Sequence, residues 1–155
     1  MKVKDCAQLF GEVEVILTDA KTGKVLYYEK GRNLVVNQGK EYMKRNIIKD
    51  TTTYDGSYLV LSTSTADPSA SETSMPATVI SPAKTATKSI VEEGGVNYCQ
   101  WTATWETNEA NNTIGSVGIC ENSDGSGLWA RYKFSTAITK DNTMRLTINY
   151  RIGIN

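Results

Sequence analysis

The sequence predicts a mainly β protein, an antiparallel β-sandwich or jelly-roll-like barrel with one short helix. Three observations carry that prediction. Met144, Leu146, Ile148, Tyr150, Ile152 and Ile154 alternate with Arg145, Thr147, Asn149, Arg151 and Gly153, the period-two pattern of a long half-buried strand. The second half of the chain repeats short runs rich in β-branched and aromatic residues, separated by Gly, Asn and Asp turns without intervening helices, which favours antiparallel pairing. Finally, 155 residues with 39% hydrophobic content suffice for one core and not for two, so residues 1–155 read as a single β-domain.

Val13, Val15 and Leu17 alternate with Glu12, Glu14 and Thr18, and Asp19-Ala-Lys-Thr-Gly23 follows before an extended pattern resumes from Lys24 to Lys30. Asp opens such a turn by bonding its own backbone and Gly accepts the positive φ that closes it, so this is a first hairpin. Asn33-Leu-Val-Val-Asn37 reads as a short strand running into a helix over Gln38–Ile48, with Asn37 as N-cap and Glu41 in the first turn. Met43 and Ile47 share a face with Tyr42 beside them, so the helix is expected to lid one end of the core.

From Lys49 to Lys88 the chain is rich in Thr, Ser and Ala, and Tyr58-Leu-Val-Leu61 is its one clear strand. Asp67-Pro-Ser-Ala-Ser-Glu-Thr-Ser-Met-Pro76 cannot occupy a central strand, because Pro lacks the ladder donor. Residues 65–77 are therefore expected to form an exposed loop or arm. Further strands follow over 88–93, 98–107, 114–120, 128–134 and 144–154, the last being structure and not tail. Cys99, Trp101, Ala103 and Trp105 share one face and anchor the core. On the next-to-last strand, Leu128, Ala130, Tyr132 and Phe134 point one way, and Trp129, Arg131 and Lys133 the other, leaving Trp129 outside.

Chemistry is sparse. The chain has no histidine, which removes Ser-His-Asp and Cys-His activation and almost every zinc site. Lys plus Arg equals Asp plus Glu at 17 each, so no basic field draws nucleic acid or anionic lipid. No stretch approaches the roughly 20 apolar residues of a membrane span. Cys6, Cys99 and Cys120 form no C-x-x-C pair, and Cys99 and Cys120, placed on neighbouring strands, are expected as buried free thiols, with a single bridge between them as the alternative. Met1-Lys-Val-Lys-Asp-Cys6 has no apolar leader core, and synthesis in a cytoplasm is expected.

Ser81-Pro-Ala-Lys84 spells S-x-x-K but lies in a Thr-rich loop without its supporting motifs. Glu92 with Glu93, and Glu106 with Glu109, offer carboxylate pairs that charges at strand ends explain equally. Glu121, Asp124 and Asp141 are oxygen donors without EF-hand spacing. Gly31–Lys40 has the wrong spacing for a phosphate loop and reads as a strand-to-helix turn. No catalytic, metal or cofactor site is assigned. Trp129 and Arg131 are instead interface candidates, being residue types that anchor binding hot spots, together with Asp67, Pro68, Met75 and Pro76 of the arm.

Gly31-Arg-Asn-Leu-Val-Val-Asn-Gln-Gly-Lys40, Leu61-Ser-Thr-Ser64, Asp67-Pro-Ser-Ala-Ser-Glu-Thr73, Ile114-Gly-Ser-Val-Gly-Ile-Cys-Glu121, Leu128-Trp-Ala-Arg-Tyr-Lys-Phe134 and Leu146-Thr-Ile-Asn-Tyr150 together resemble the small virion structural proteins of tailed bacteriophages. The resemblance implies a capsid decoration or cement subunit, or a small tail, collar or fibre component. It also implies other virion proteins, major capsid or tail proteins, as partners, a homo-oligomeric state and a place in the virion after synthesis in the host cytoplasm. It brings no catalytic residue with it. Two other classes stay open: a carbohydrate-binding module using Trp129, Tyr54 and Tyr58, and a small hydrolase using Glu92, Glu93 and Glu106.

Overall fold

The computed structural model describes residues 8–154; Cys6 and the Met1–Cys6 stretch read for a leader lie outside them. Its elements are β1 (Leu9–Asp19), β2 (Val25–Arg32), β3 (Leu34–Val35), α1 (Asn37–Ile47), β4 (Tyr58–Ser62), β5 (Val79–Thr85), β6 (Thr87–Glu93), β7 (Val96–Trp105), β8 (Thr113–Cys120), β9 (Leu128–Thr139) and β10 (Met144–Ile154). They form two five-stranded antiparallel sheets, ordered β2-β1-β10-β7-β6 and β3-β9-β8-β4-β5. This is the sandwich with one short helix that the alternating runs predict.

The core lies between the sheets. Val13, Val15 and Leu17 of β1 meet Leu146, Ile148 and Tyr150 of β10 and Trp101, Ala103 and Trp105 of β7, facing Leu59, Leu61, Val117, Ile119, Tyr132 and Phe134 of the second sheet. β10 occupies the middle of its sheet, with β1 on one side from Leu9↔Ile154 to Asp19↔Met144 and β7 on the other. Its alternation thus has both partners it requires. The Asp19 turn closes as read: Asp19 Oδ1 accepts from the backbone N–H of Lys21 and Thr22, and Gly23 takes a φ of 73°.

The outer face of the first sheet is mostly polar, with Glu14 accepting from Tyr28 and Asn149, and Thr102 bonded to Asn149, while Phe10 packs edge-on against Tyr98 at its end. The outer face of the second sheet is covered by the chain itself. A smaller cluster of Val36, Val60, Met75, Cys120 and Leu128 is buried there.

Several expectations are corrected. The helix starts one residue early, its N-cap is Val36 without a side-chain bond, and its first turn holds no acidic residue. The Asn37 N–H is instead satisfied by the Ala70 carbonyl of the 65–77 segment at 2.9 Å, so a tertiary contact replaces the Asx cap. β5 occupies a stretch expected as loop: Pro82 is tolerated there because β5 is an edge strand. β9 continues to Thr139 beyond an irregularity opposite Ile114 and Ser116.

Candidate functional site

At one end the first sheet overruns the second. Leu9 of β1 and Ile152 of β10, with Cys99 of β7 and Ile90 of β6, lie on its inward face, where Cys99 pairs with both Ile152 and Ile90. Yet Cys99 is exposed and Ile90 is 71% exposed. The second sheet ends before this overhang, and α1 flanks the gap. Between them lies an apolar cleft of about 550 Å³ whose walls include Leu9, Met43, Tyr54, Trp101, Trp129 and Ile152.

Trp129 reaches this cleft because of a β-bulge. Ile119 pairs with Ala130 but Cys120 pairs with Leu128, so Trp129 is the extra residue of β9, and a bulge re-aims its side chain. The expectation that Trp129 stays outside is therefore wrong: it is 4% exposed, in the core cluster with Trp101 and beside Tyr42, at centroid distances of 6.4 and 5.6 Å. Period-two counting fails at the inserted residue, and Leu128 takes the outer face instead. Both indole N–H groups are satisfied within the fold. Trp129 donates to Glu121 Oε1 at 2.5 Å and Trp101 to the Gly56 carbonyl at 2.9 Å, so the rings present the cleft with apolar surface.

The helix comes close enough to help wall the cleft because of Gly39. A Cβ at that position would lie 2.2 Å from the Trp129 carbonyl oxygen, so only glycine allows α1 to rest on the β9 backbone. Tyr42 then stacks on Tyr54 with centroids 4.2 Å apart, and Asn46 clamps Tyr54 by donating to its carbonyl and accepting from its N–H. Ile47 and Ile48 are left 80% and 76% exposed beside the cleft, with Ile154 at 63%. Exposed aliphatic side chains beside an apolar opening are a candidate interaction surface.

The other interface candidates lie elsewhere, on the 65–77 segment and beneath it. Most of that segment is exposed, but it lies flat as a strap across the second sheet. Arg131 leaves the core on the outer face of β9, as the alternation predicts, but the strap covers it and it is fully buried; it holds Glu72 by two bonds of 2.8 Å and the Ala66 carbonyl at 3.0 Å. Met75 is buried at 6% and its N–H bonds Gly125. Asp67 is exposed and pairs with Lys133 at 2.7 Å, while Pro68 and Pro76 are half-buried. The candidates thus fall into two groups: Trp129 at the end cleft, and Arg131 with the strap residues over the second sheet.

The chemical candidates are dispersed. Ser81 is exposed in the bulged stretch of β5 between Ile80 and Lys84, and Lys84 pairs with Glu109 at 2.6 Å. Glu106 pairs with Arg145, and Glu93 with Arg151. Among the described residues no three His, Cys, Asp or Glu side chains cluster to hold a metal, and no helix is long and apolar enough to cross a membrane. Tyr54 and Tyr58 are half-buried and Trp129 is buried, so the three share no exposed ring platform.

Cys99 and Cys120 are both free. They lie on β7 and β8 in different sheets, which corrects their placement on neighbouring strands, and only Cys120 is buried; burial pushes its thiol well above the usual range.

No signal in the sequence announces the cleft, because it forms between segments distant in the chain, Leu9 of β1, Met43 of α1, Trp101 of β7 and Trp129 of β9. Comparison with known proteins found no matching family model, no similar curated protein and no similar solved structure.

Proposed function

We propose that this chain is a non-enzymatic structural subunit of a tailed-bacteriophage particle, attaching to a repeated capsid lattice as a decoration or cement protein. The observation that carries the reading is the end surface: an apolar cleft with Ile47, Ile48 and Ile154 exposed beside it, in a sandwich whose second sheet is already covered by its own strap. The resemblance of Gly31–Lys40, Ile114–Glu121 and Leu128–Phe134 to small virion proteins supplies the particle. A partner seated on that end would bury the aliphatic side chains and place a knob in the cleft. Such a contact forms the centre of a standard interface of about 1,200 to 2,000 Å², and modest contacts repeated over a lattice give firm attachment.

The test replaces Ile47, Ile48 and Ile154 by Ser and measures co-sedimentation with phage particles that lack the protein. The exposed positions leave the melting temperature within a few degrees while attachment falls at least tenfold. Undiminished attachment overturns the assignment of this surface, and absence of the protein from purified particles overturns the virion reading.

A further inference from the structure

We propose that β6 is a self-association edge through which two copies of this chain join about a two-fold axis, continuing the first sheet from one copy into the other. Four strands bound the two sheets, and three are poor templates for a further strand. β3 has two residues, β5 carries Pro82, and β2 bulges at Leu26, where Leu17 pairs with Tyr27 but Thr18 with Val25. Short length, proline and bulges protect those three edges, and charged side chains are the remaining device; β6 relies on charge alone, through Lys88 and Glu92, and a charge blocks an edge only where the incoming strand does not neutralise it. β6 has no proline, bulge or short length: its seven residues pair with β7 in unbroken register from Thr87↔Thr102 to Glu93↔Val96, and all but Val91 are exposed.

The sequence of β6 is complementary to itself. A two-fold axis normal to the sheet keeps each side chain on its own face, so it must pass beside a residue paired with its own copy. With the axis at Ile90, Lys88 stands opposite Glu92 of the second copy, Glu92 opposite its Lys88, and Ile90 opposite Ile90. Moving the axis to Ser89 sets Lys88 against Ile90, and moving it to Val91 sets Ile90 against Glu92. On the inward face only the Ile90 register of these three matches charge with charge and apolar with apolar, while on the outer face it sets Ser89 opposite Val91 and Thr87 opposite Glu93; directly opposed pairs are the units that stabilise a sheet.

The side chains are placed for it. Ile90 is 71% exposed and Glu92 makes no ion pair among the described residues. Lys88 bonds Asp55 at 2.6 Å with a side chain 36% exposed, and an ammonium with three donors can serve a second carboxylate. Because Ile90 shares its face with Cys99 and Ile152, the joined sheets would also align the two overhangs side by side. A second copy is the occupant because the inward-face pattern Lys88, Ile90, Glu92 matches its own reverse.

The inference deepens the assembly reading by naming the surface through which copies join, and its test is separate. Sedimentation equilibrium of the full chain is expected to show a concentration-dependent dimer that weakens with added salt. Lys88→Glu and Glu92→Lys each weaken it at least tenfold with unchanged circular dichroism. The double variant recovers it, and an equimolar mixture of the two single variants forms heterodimers, since each then presents the charges the other lacks. A wild-type chain that stays monomeric up to its solubility limit, or single variants that dimerise as wild type does, overturn the proposal. A monomer that still attaches to particles sinks the edge contact alone, and a dimer absent from particles sinks the virion reading alone.

Discussion

Arg131, with no exposed surface, holds Glu72 of the strap through two parallel bonds of 2.8 Å, from Nε to Oε2 and from a terminal nitrogen to Oε1. The pair ties the strap, whose one β-bridge is Ser74 to Ser126, to β9 of the second sheet. Removing one partner of such a pair leaves a charge in a dry site, at a cost of about 3 to 5 kcal/mol. Glu72→Ala is expected to destabilise the fold by about that much in urea titration, and adding Arg131→Met is expected to restore a large part of it. If the double variant is no more stable than the single one, the burden lies in the loop backbone and not in the stranded guanidinium.

Met75 closes the small cluster of Val36, Val60, Cys120 and Leu128. Met75→Ala should cost about 2 kcal/mol or more, in the range of buried large-to-small changes, and should make Cys120 react with a thiol reagent at a measurable rate. Cys99, already exposed, serves as the internal reference for labelling.

Gly39→Ala tests the contact that seats the helix. The added methyl meets backbone at 2.2 Å and not a movable side chain, so α1 must lift. Helix propensity alone favours Ala over Gly by about 1 kcal/mol. Net destabilisation of about 1 to 3 kcal/mol is expected from overpacking, together with a red shift of tryptophan emission as Trp129 gains solvent. A stabilised variant would show that the helix is not held against β9.

The Lys84 ammonium beside Glu109 holds its carboxyl below the usual carboxylate range, and the Glu106 N–H bonded to it adds to the effect. A depressed folded-state pKa stabilises the fold above the unfolded value, about 4.3 for Glu, and that stabilisation is lost as pH falls through the folded value. The acid limb of the stability curve is therefore expected to be shallower in Glu109→Gln, while near neutral pH the two proteins differ by a small constant amount. Parallel curves down to pH 2 would count against the pairing.

Where the strands were legible, one physical rule made them so. Along β1 and from Met144 to Ile152 of β10 the side chains alternate between the core and the outer face, and no residue interrupts the count. The rule failed where that count breaks. The residue inserted before Ala130 turned Trp129 inward, and nothing in Leu128-Trp-Ala-Arg announces a bulge. β5 was hidden by Pro82, which is disqualifying in a central strand and harmless on an edge, and edge status is known only once the sheet is assembled. Arg131 reads as a surface residue until its partner, Glu72, is brought to it by the strap. The cleft was invisible for the same reason: it is made by the unequal reach of two sheets, a relation between distant segments.

Seating β10 between β1 and β7 has a kinetic consequence. β1 can form its hairpin with β2 early, but its other neighbour comes from the far end of the described chain, and Leu9 meets Ile154 only when that loop closes. Chains dominated by such long-range pairing fold in roughly milliseconds to seconds, not microseconds. Until closure, β1 offers an open apolar edge, so refolding yield should fall as protein concentration rises.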